Sequence, residues 1–173
     1  MGRLAGRMHI RYRTDMTIRW RTESPIEQQA AGAFATVGLA GAAAIHALWA
    51  SGFPWPAANF DELADTVVGQ RPFPSRGATW TVAALLATGT VTTCARSGLV
   101  PFPGGRNTRI VRFGAGAVAA TLLARVGVGT AVSALSLGGS TPAFRRWNLA
   151  VYSPLCLALG AAAAIASRSR AST

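Results

Sequence analysis

Polar and apolar positions along this chain lack the outer-face charges of a surface helix and instead leave long stretches with no charge at all. Gln28–Phe60, Gly77–Ala95, Val126–Phe144 and Trp147–Ser167 are uncharged runs of 33, 19, 19 and 21 residues. A helix needs about 20 mostly apolar residues to cross roughly 30 Å of hydrocarbon. A soluble bundle would place charges every third or fourth position on its outer face. The pattern predicts an all-α, polytopic integral membrane protein, with four transmembrane helices in an antiparallel bundle. Their expected spans are Gln29–Ser51, Gly77–Ser97, Phe113–Leu137 and Asn148–Ala166, the third interrupted by Arg125. The organisation expected is an Arg-rich, disordered cytoplasmic N-tail over residues 1–28, a transmembrane domain over 29–166 and a cytoplasmic C-tail over 167–173.

The connections carry turn chemistry. Ser51-Gly-Phe-Pro-Trp-Pro, Pro101-Phe-Pro-Gly-Gly and Gly138-Gly-Ser-Thr-Pro follow the first three spans. The first connection is the longest. It predicts a short surface helix from Asn59 to Gly69, with Asn59 as N-cap and Asp61, Glu62 and Asp65 in its first turns.

Charge adds direction. Of 173 residues, 50% are hydrophobic and 13% charged, and the net charge of +11 comes from 17 arginines, no lysine and six acids. Every acid lies within the first 65 residues, so from Thr66 onward neither paired-carboxylate catalysis nor an oxygen-ligated metal site can form. Six arginines in the N-tail, four around the second connection and two in the C-tail share one side of an even-numbered bundle, against Arg71, Arg76, Arg145 and Arg146 on the other. The positive-inside rule then places both termini in the cytoplasm of a multi-pass cell-membrane protein. The same charge attracts anionic lipid head groups of the bilayer and needs no nucleic acid to explain it. Between Met8 and Arg21 the tail alternates apolar and polar residues, a strand pattern with no second strand to pair with. Met8 and Met16 are alternative starts, and beginning at Met16 leaves the arginine bias eight to four.

Arg125 is the residue with most chemistry in it. An arginine within a span belongs in the bundle interior, where it either staples helices through carbonyls or serves a ligand or pathway. His46, Asn148 and Tyr152 are its expected neighbours, Asn148 and Tyr152 lying one turn apart on one face. Pro154 cannot donate to the carbonyl of Ala150, which leaves a free acceptor inside the membrane. These residues form a candidate polar cluster opening outward. Trp49, Trp55, Trp80 and Trp147 fall near the outer boundary and read as an interfacial aromatic belt. Cys94 and Cys156 lie at different depths, too far apart for a disulfide. The 35 alanines and 19 glycines, with Gly38/Ala42 and Gly160/Ala164 at four-residue spacing, predict close helix contact. No HExxH, CxxC, P-loop or GxSxG motif occurs, so no catalytic residue and no metal ligand is assigned.

His46-Ala-Leu-Trp49-Ala-Ser-Gly52, Arg125 followed by Gly127, and Phe144-Arg-Arg-Trp-Asn-Leu-Ala-Val-Tyr-Ser-Pro-Leu-Cys156 resemble the small bacterial four-helix membrane proteins catalogued as domain of unknown function 3995. The similarity covers roughly residues 33–166, and Tyr-Ser-Pro-Leu-Cys is its most specific stretch. The resemblance implies an integral membrane protein and no known activity. Its pattern often carries Asp at the position of Asn148, and the amide here removes a counter-ion for Arg125.

The function expected is a non-enzymatic structural or partner-binding membrane component without a cofactor, partnered by lipid and by a second copy or another membrane protein. An oligomeric small-molecule or ion permease, with a polar pocket around His46, Arg125 and Tyr152, is the alternative. A His46-ligated haem protein or an intramembrane enzyme comes third.

Overall fold

The computed structural model describes residues 25–168, so the alternating pattern of Met8–Arg21 lies outside the described residues. Those residues form helices and loops, with no strand among them. Helix α1 runs Pro25–Ala50. A short α2 (Phe60–Leu63) continues into a π turn, Ala64–Val68. Helices α3 (Arg76–Ser97) and α4 (Arg109–Ala134) follow. The last span is built from α5 (Pro142–Trp147), a π turn at Asn148–Tyr152 and α6 (Ser153–Ser167). Four helical stretches are therefore long and apolar enough to cross a membrane, namely α1, α3, α4 and the composite Pro142–Ser167. This is the architecture of a polytopic helical membrane protein.

Side-chain caps set the starts. Asn59 accepts the Glu62 N–H at 2.9 Å, as the sequence predicts, and Ser75, Thr108 and Thr141 accept from the residues three positions on. Each cap satisfies a donor that the first helical turn leaves open. Thr141 followed by Pro142 starts the last span six residues before the expected Asn148, because Arg145 and Arg146 interrupt the uncharged run but not the helix.

The four spans pack in a closed ring, α1 on α3, α3 on α4, α4 on α6 and α6 back on α1. Toward the end where α1 begins and α6 stops, here the tail end, Ala35, Ala119, Ala162 and Ala163 form a buried cluster. Small residues permit this approach, since helices in lipid associate through close packing rather than through a hydrophobic drive. Leu159 presses against Gly38, where a Cβ would stand 3.2 Å from its Cγ.

Two arginines tie helix ends together. Arg96 is only 3% exposed, and its guanidinium donates to the carbonyls of Ser167 and Arg168 and to Asn107 Oδ1, at 2.7–3.2 Å. At the opposite end Arg76 donates to the carbonyls of Ala50 and Ser51, at 3.1 and 2.7 Å. Both supply cations to the orphan carbonyls of a helix C-terminus, where the helix dipole also favours positive charge.

The connections at the Arg76 end form a lid. Arg71 holds the Asp65 carboxylate in a two-pronged pair, with Nε 2.9 Å from Oδ1 and Nη2 on Oδ2. The Thr141 hydroxyl donates to the Asp65 carbonyl, the Thr141 N–H to Gly69 O at 3.0 Å, and Gln70 Nε2 to Gly138 O at 2.7 Å. Gly69 has φ +84° and lies so close to Phe144 that a Cβ would meet the ring at 2.8 Å. A left-handed turn and a tight contact therefore both require glycine there.

Candidate functional site

Beneath this lid lies an open cavity of about 990 Å³. Its walls come from α1 (Gly41, Ile45, His46, Trp49), the α2 segment (Glu62, Thr66, Val67), α4 (Arg125) and the last span (Trp147, Tyr152, Leu155). Toward the tail end, the Gly38–Leu159 contact and the alanine cluster close the bundle.

Arg125 stands nine residues, about 14 Å at 1.5 Å per residue, below the lid end of α4. Its guanidinium reaches along its own helix toward the lid, over Gly129, where a Cβ would collide with Nη1. The absent side chain at Gly129 is what makes room for it. No hydrogen bond or ion pair joins Arg125 to any described residue, in contrast to Arg76 and Arg96.

His46 Nδ1 is 2.7 Å from the carbonyl of Ala42. A carbonyl only accepts, so Nδ1 carries the hydrogen, and in the neutral ring Nε2 keeps the lone pair. The ring lies 4.9 Å from that of Trp49. Trp49 departs from the expected aromatic belt. It is 7% exposed, donates from Nε1 to the Trp55 carbonyl at 2.7 Å and meets Phe73 edge-on. The connection folds back over it, so its ring packs inside the protein. Trp55, Trp80 and Trp147 are each about half or more exposed, Trp55 and Trp147 at the cavity.

The expected single polar face of Asn148 and Tyr152 is split by the π turn. Asn148 is fully buried against α4, where Nδ2 donates to Gly129 O at 2.7 Å and Ser133 Oγ at 2.8 Å. Its Oδ1 has no partner and points to the same niche as Arg125, 3.2 Å from where a Gly129 Cβ would stand. Tyr152 instead turns to the cavity and stacks on Trp147, with centroids 6.4 Å apart and planes at 21°. In a regular α-helix, residues five apart stand roughly 140° apart around the axis. The wider π turn brings these two rings together. None of the expected donors reaches the Ala150 carbonyl among the described residues. Cys94 and Cys156 are free thiols.

Sequence reasoning missed Glu62 and the α2 segment as a cavity wall, along with Gly129. The glycine one turn after Arg125 was a readable signal. The position of α2 depends on tertiary ties to residues 138–141 and was not.

The described residues contain no group of three or more His, Cys, Asp or Glu side chains placed to hold a metal ion. No curated protein and no solved structure matches the chain. Residues 39–163, from the middle of α1 to the last turns of α6, match the family described as "Protein of unknown function (DUF3995)". The match spans most of the chain and includes every cavity-lining residue except Gly38, so this protein belongs to that family.

Proposed function

We propose that this chain is a cell-membrane protein with both termini in the cytoplasm, and that it acts without catalysis, capturing a small molecule in the outward-opening cavity. The observation that carries this reading is the contrast among three arginines, two at helix ends and one within a span. Arg76 and Arg96 act as staples, their donors spent on helix-end carbonyls. Arg125 faces a cavity with its donors unspent by any described residue. A guanidinium remains charged at every relevant pH, so its desolvation calls for acceptors from water or a ligand. The volume lies in the range of small-molecule sites, which combine mostly apolar walls with a few polar groups. Closure by Leu159 and the alanines favours capture over permeation by a single copy.

Thiol accessibility tests the reading. In full-length protein with Cys94 and Cys156 replaced by alanine, Ile45→Cys lines the cavity, while Val82→Cys faces outward from α3. A membrane-impermeant maleimide added to intact cells should label position 45 on the order of tenfold faster than position 82, because thiolates form in water and not in hydrocarbon. Equal resistance at both positions, or labelling of position 45 only after the cells are opened, overturns it.

A further inference from the structure

We infer that the cavity takes an amphipathic oxyanion: a carboxylate or phosphate monoester carried on an apolar tail, its oxygens received by Arg125. This rests on the capture reading above and names the chemistry of the captured molecule. The argument starts from charge. Arg125 is a permanent cation, and no acid side chain exists anywhere from Thr66 to the C-terminus. Among the described residues, Glu62 is the only carboxylate in the cavity wall. Its Oε2 accepts the Ala58 N–H at 3.0 Å, and no ion pair connects it to Arg125. Asn148 Oδ1, close by, is neutral.

Arg125 therefore faces the cavity without an ion-paired partner among the described residues, between apolar walls that make an opposite charge on a ligand worth more than in bulk water. A planar guanidinium with parallel donors matches the oxygens of a carboxylate or phosphate. A neutral guest leaves that charge uncompensated, and a cationic guest is repelled.

The walls select the rest of the molecule. Ile45, Trp49, Val67 and Leu155 offer apolar surface. Gly41 keeps one wall flat, since a Cβ built there meets nothing within 4 Å. A straight hydrocarbon tail fits such a wall. A polyphosphate does not, because one guanidinium cannot neutralise several charges. His46 adds a second polar atom, Nε2, which the Ala42 carbonyl leaves free.

Native mass spectrometry of the full-length protein, released from a neutral maltoside detergent, tests this with decanoate, decyl phosphate and uncharged decanol. The wild type should retain both oxyanions at concentrations at least roughly tenfold below those needed for decanol, an order set by a charge-assisted pair. Preference for decanoate assigns a carboxylate source, and preference for decyl phosphate a phosphate ester. Arg125→Leu should lose most of the retention of both oxyanions and leave decanol unchanged. Arg125→Gln, which keeps polarity, covers the case in which leucine impairs folding. Equal retention of decanol and decanoate, or undiminished oxyanion binding in a folded Arg125 variant, overturns the inference. Protection of Ile45→Cys from maleimide separates the two levels. Protection by decanol and decanoate alike keeps the capture site and refutes the oxyanion, whereas protection by none of the three refutes both.

Discussion

Asn148 and Gly129 decide what Arg125 is free to do. The Asn148 amide links the last span to α4 through Gly129 O and Ser133 Oγ, and its own Oδ1 stays without a partner. Asn148→Ala removes both links. Unfolding in mixed micelles should register a loss of about 1–2 kcal/mol, the scale of interhelical hydrogen bonds in membranes. Asn148→Asp has a different consequence, because it keeps the shape but places a carboxylate in the niche that the guanidinium enters. Arg125 then gains an internal counter-ion, and decanoate retention by the folded fraction should fall several-fold, because opposite charges at this range neutralise each other, while the acceptor-only carboxylate also forfeits the donor to Gly129 O. Unchanged decanoate retention by a folded Asn148→Asp would show that Arg125 does not hold the anion. Gly129→Ala reaches the same site from the backbone side. Its methyl collides with Nη1, so the guanidinium must leave its position. Nothing about Gly129 stands out in composition, since 19 glycines are spread through the chain. Its importance follows only from lying one turn from an arginine that must reach outward.

At the scale of elements, the lid and the two π turns shape the cavity, and only part of this was legible. Asn59 and Gly69 bounded the α2 segment correctly, because an Asx cap and a left-handed glycine are local signals. The π turn at 148–152 was not readable as such, although Pro154 was its visible cause. Proline cannot donate to Ala150, and its ring displaces that carbonyl. The chain widens by one residue, so that the Ser153 N–H bonds to Asn148 O instead. The period-3.6 assumption therefore placed Asn148 and Tyr152 on one face when they point to two. Arg96 escaped sequence reading for another reason, since its acceptors lie 71 and 72 residues away. The lid carries a pH prediction. Hydrogen bonding by Arg71 lowers the Asp65 carboxyl below its ordinary value of 3.8, with partial burial opposing and the Arg71 charge reinforcing the shift. A depressed folded-state value means that the stabilisation is complete above about 3.8 and is lost as the pH falls through the lower folded value. Amide hydrogen exchange over 65–71 and 138–141, corrected for intrinsic rates, should accelerate in that acid window. Asp65→Asn should exchange fast already at neutral pH and lose the dependence. An identical pH profile in the variant would remove Asp65 as the cause.

For the whole molecule, orientation determines which compartment the cavity serves. The arginine count is twelve on the tail side against four on the lid side. Two of these close helix ends, Arg96 on the tail side and Arg76 on the lid side. Setting both aside leaves eleven against three, so the bias survives removal of the charges held by helix ends. Arginines held by helix ends would be needed in either orientation, whereas the remainder report insertion. Reporter fusions at Arg21, Gly105 and Arg170 should therefore read cytoplasm, and fusions near Asp61 and Ser140 the exterior. Deleting residues 1–15 removes Arg3, Arg7, Arg11 and Arg13, leaving eight against four, and should change none of the five readings. Neutralising Arg106, Arg109 and Arg112 in addition makes the count five against four, and a mixed population should then appear, because the rule acts through the difference in charge between short flanking segments. A lid-side reporter found in the cytoplasm of the unaltered protein would invert the assignment. The cavity under Trp55 and Trp147 would then open to cytoplasmic amphiphiles, and Ile45→Cys would become reactive only from inside.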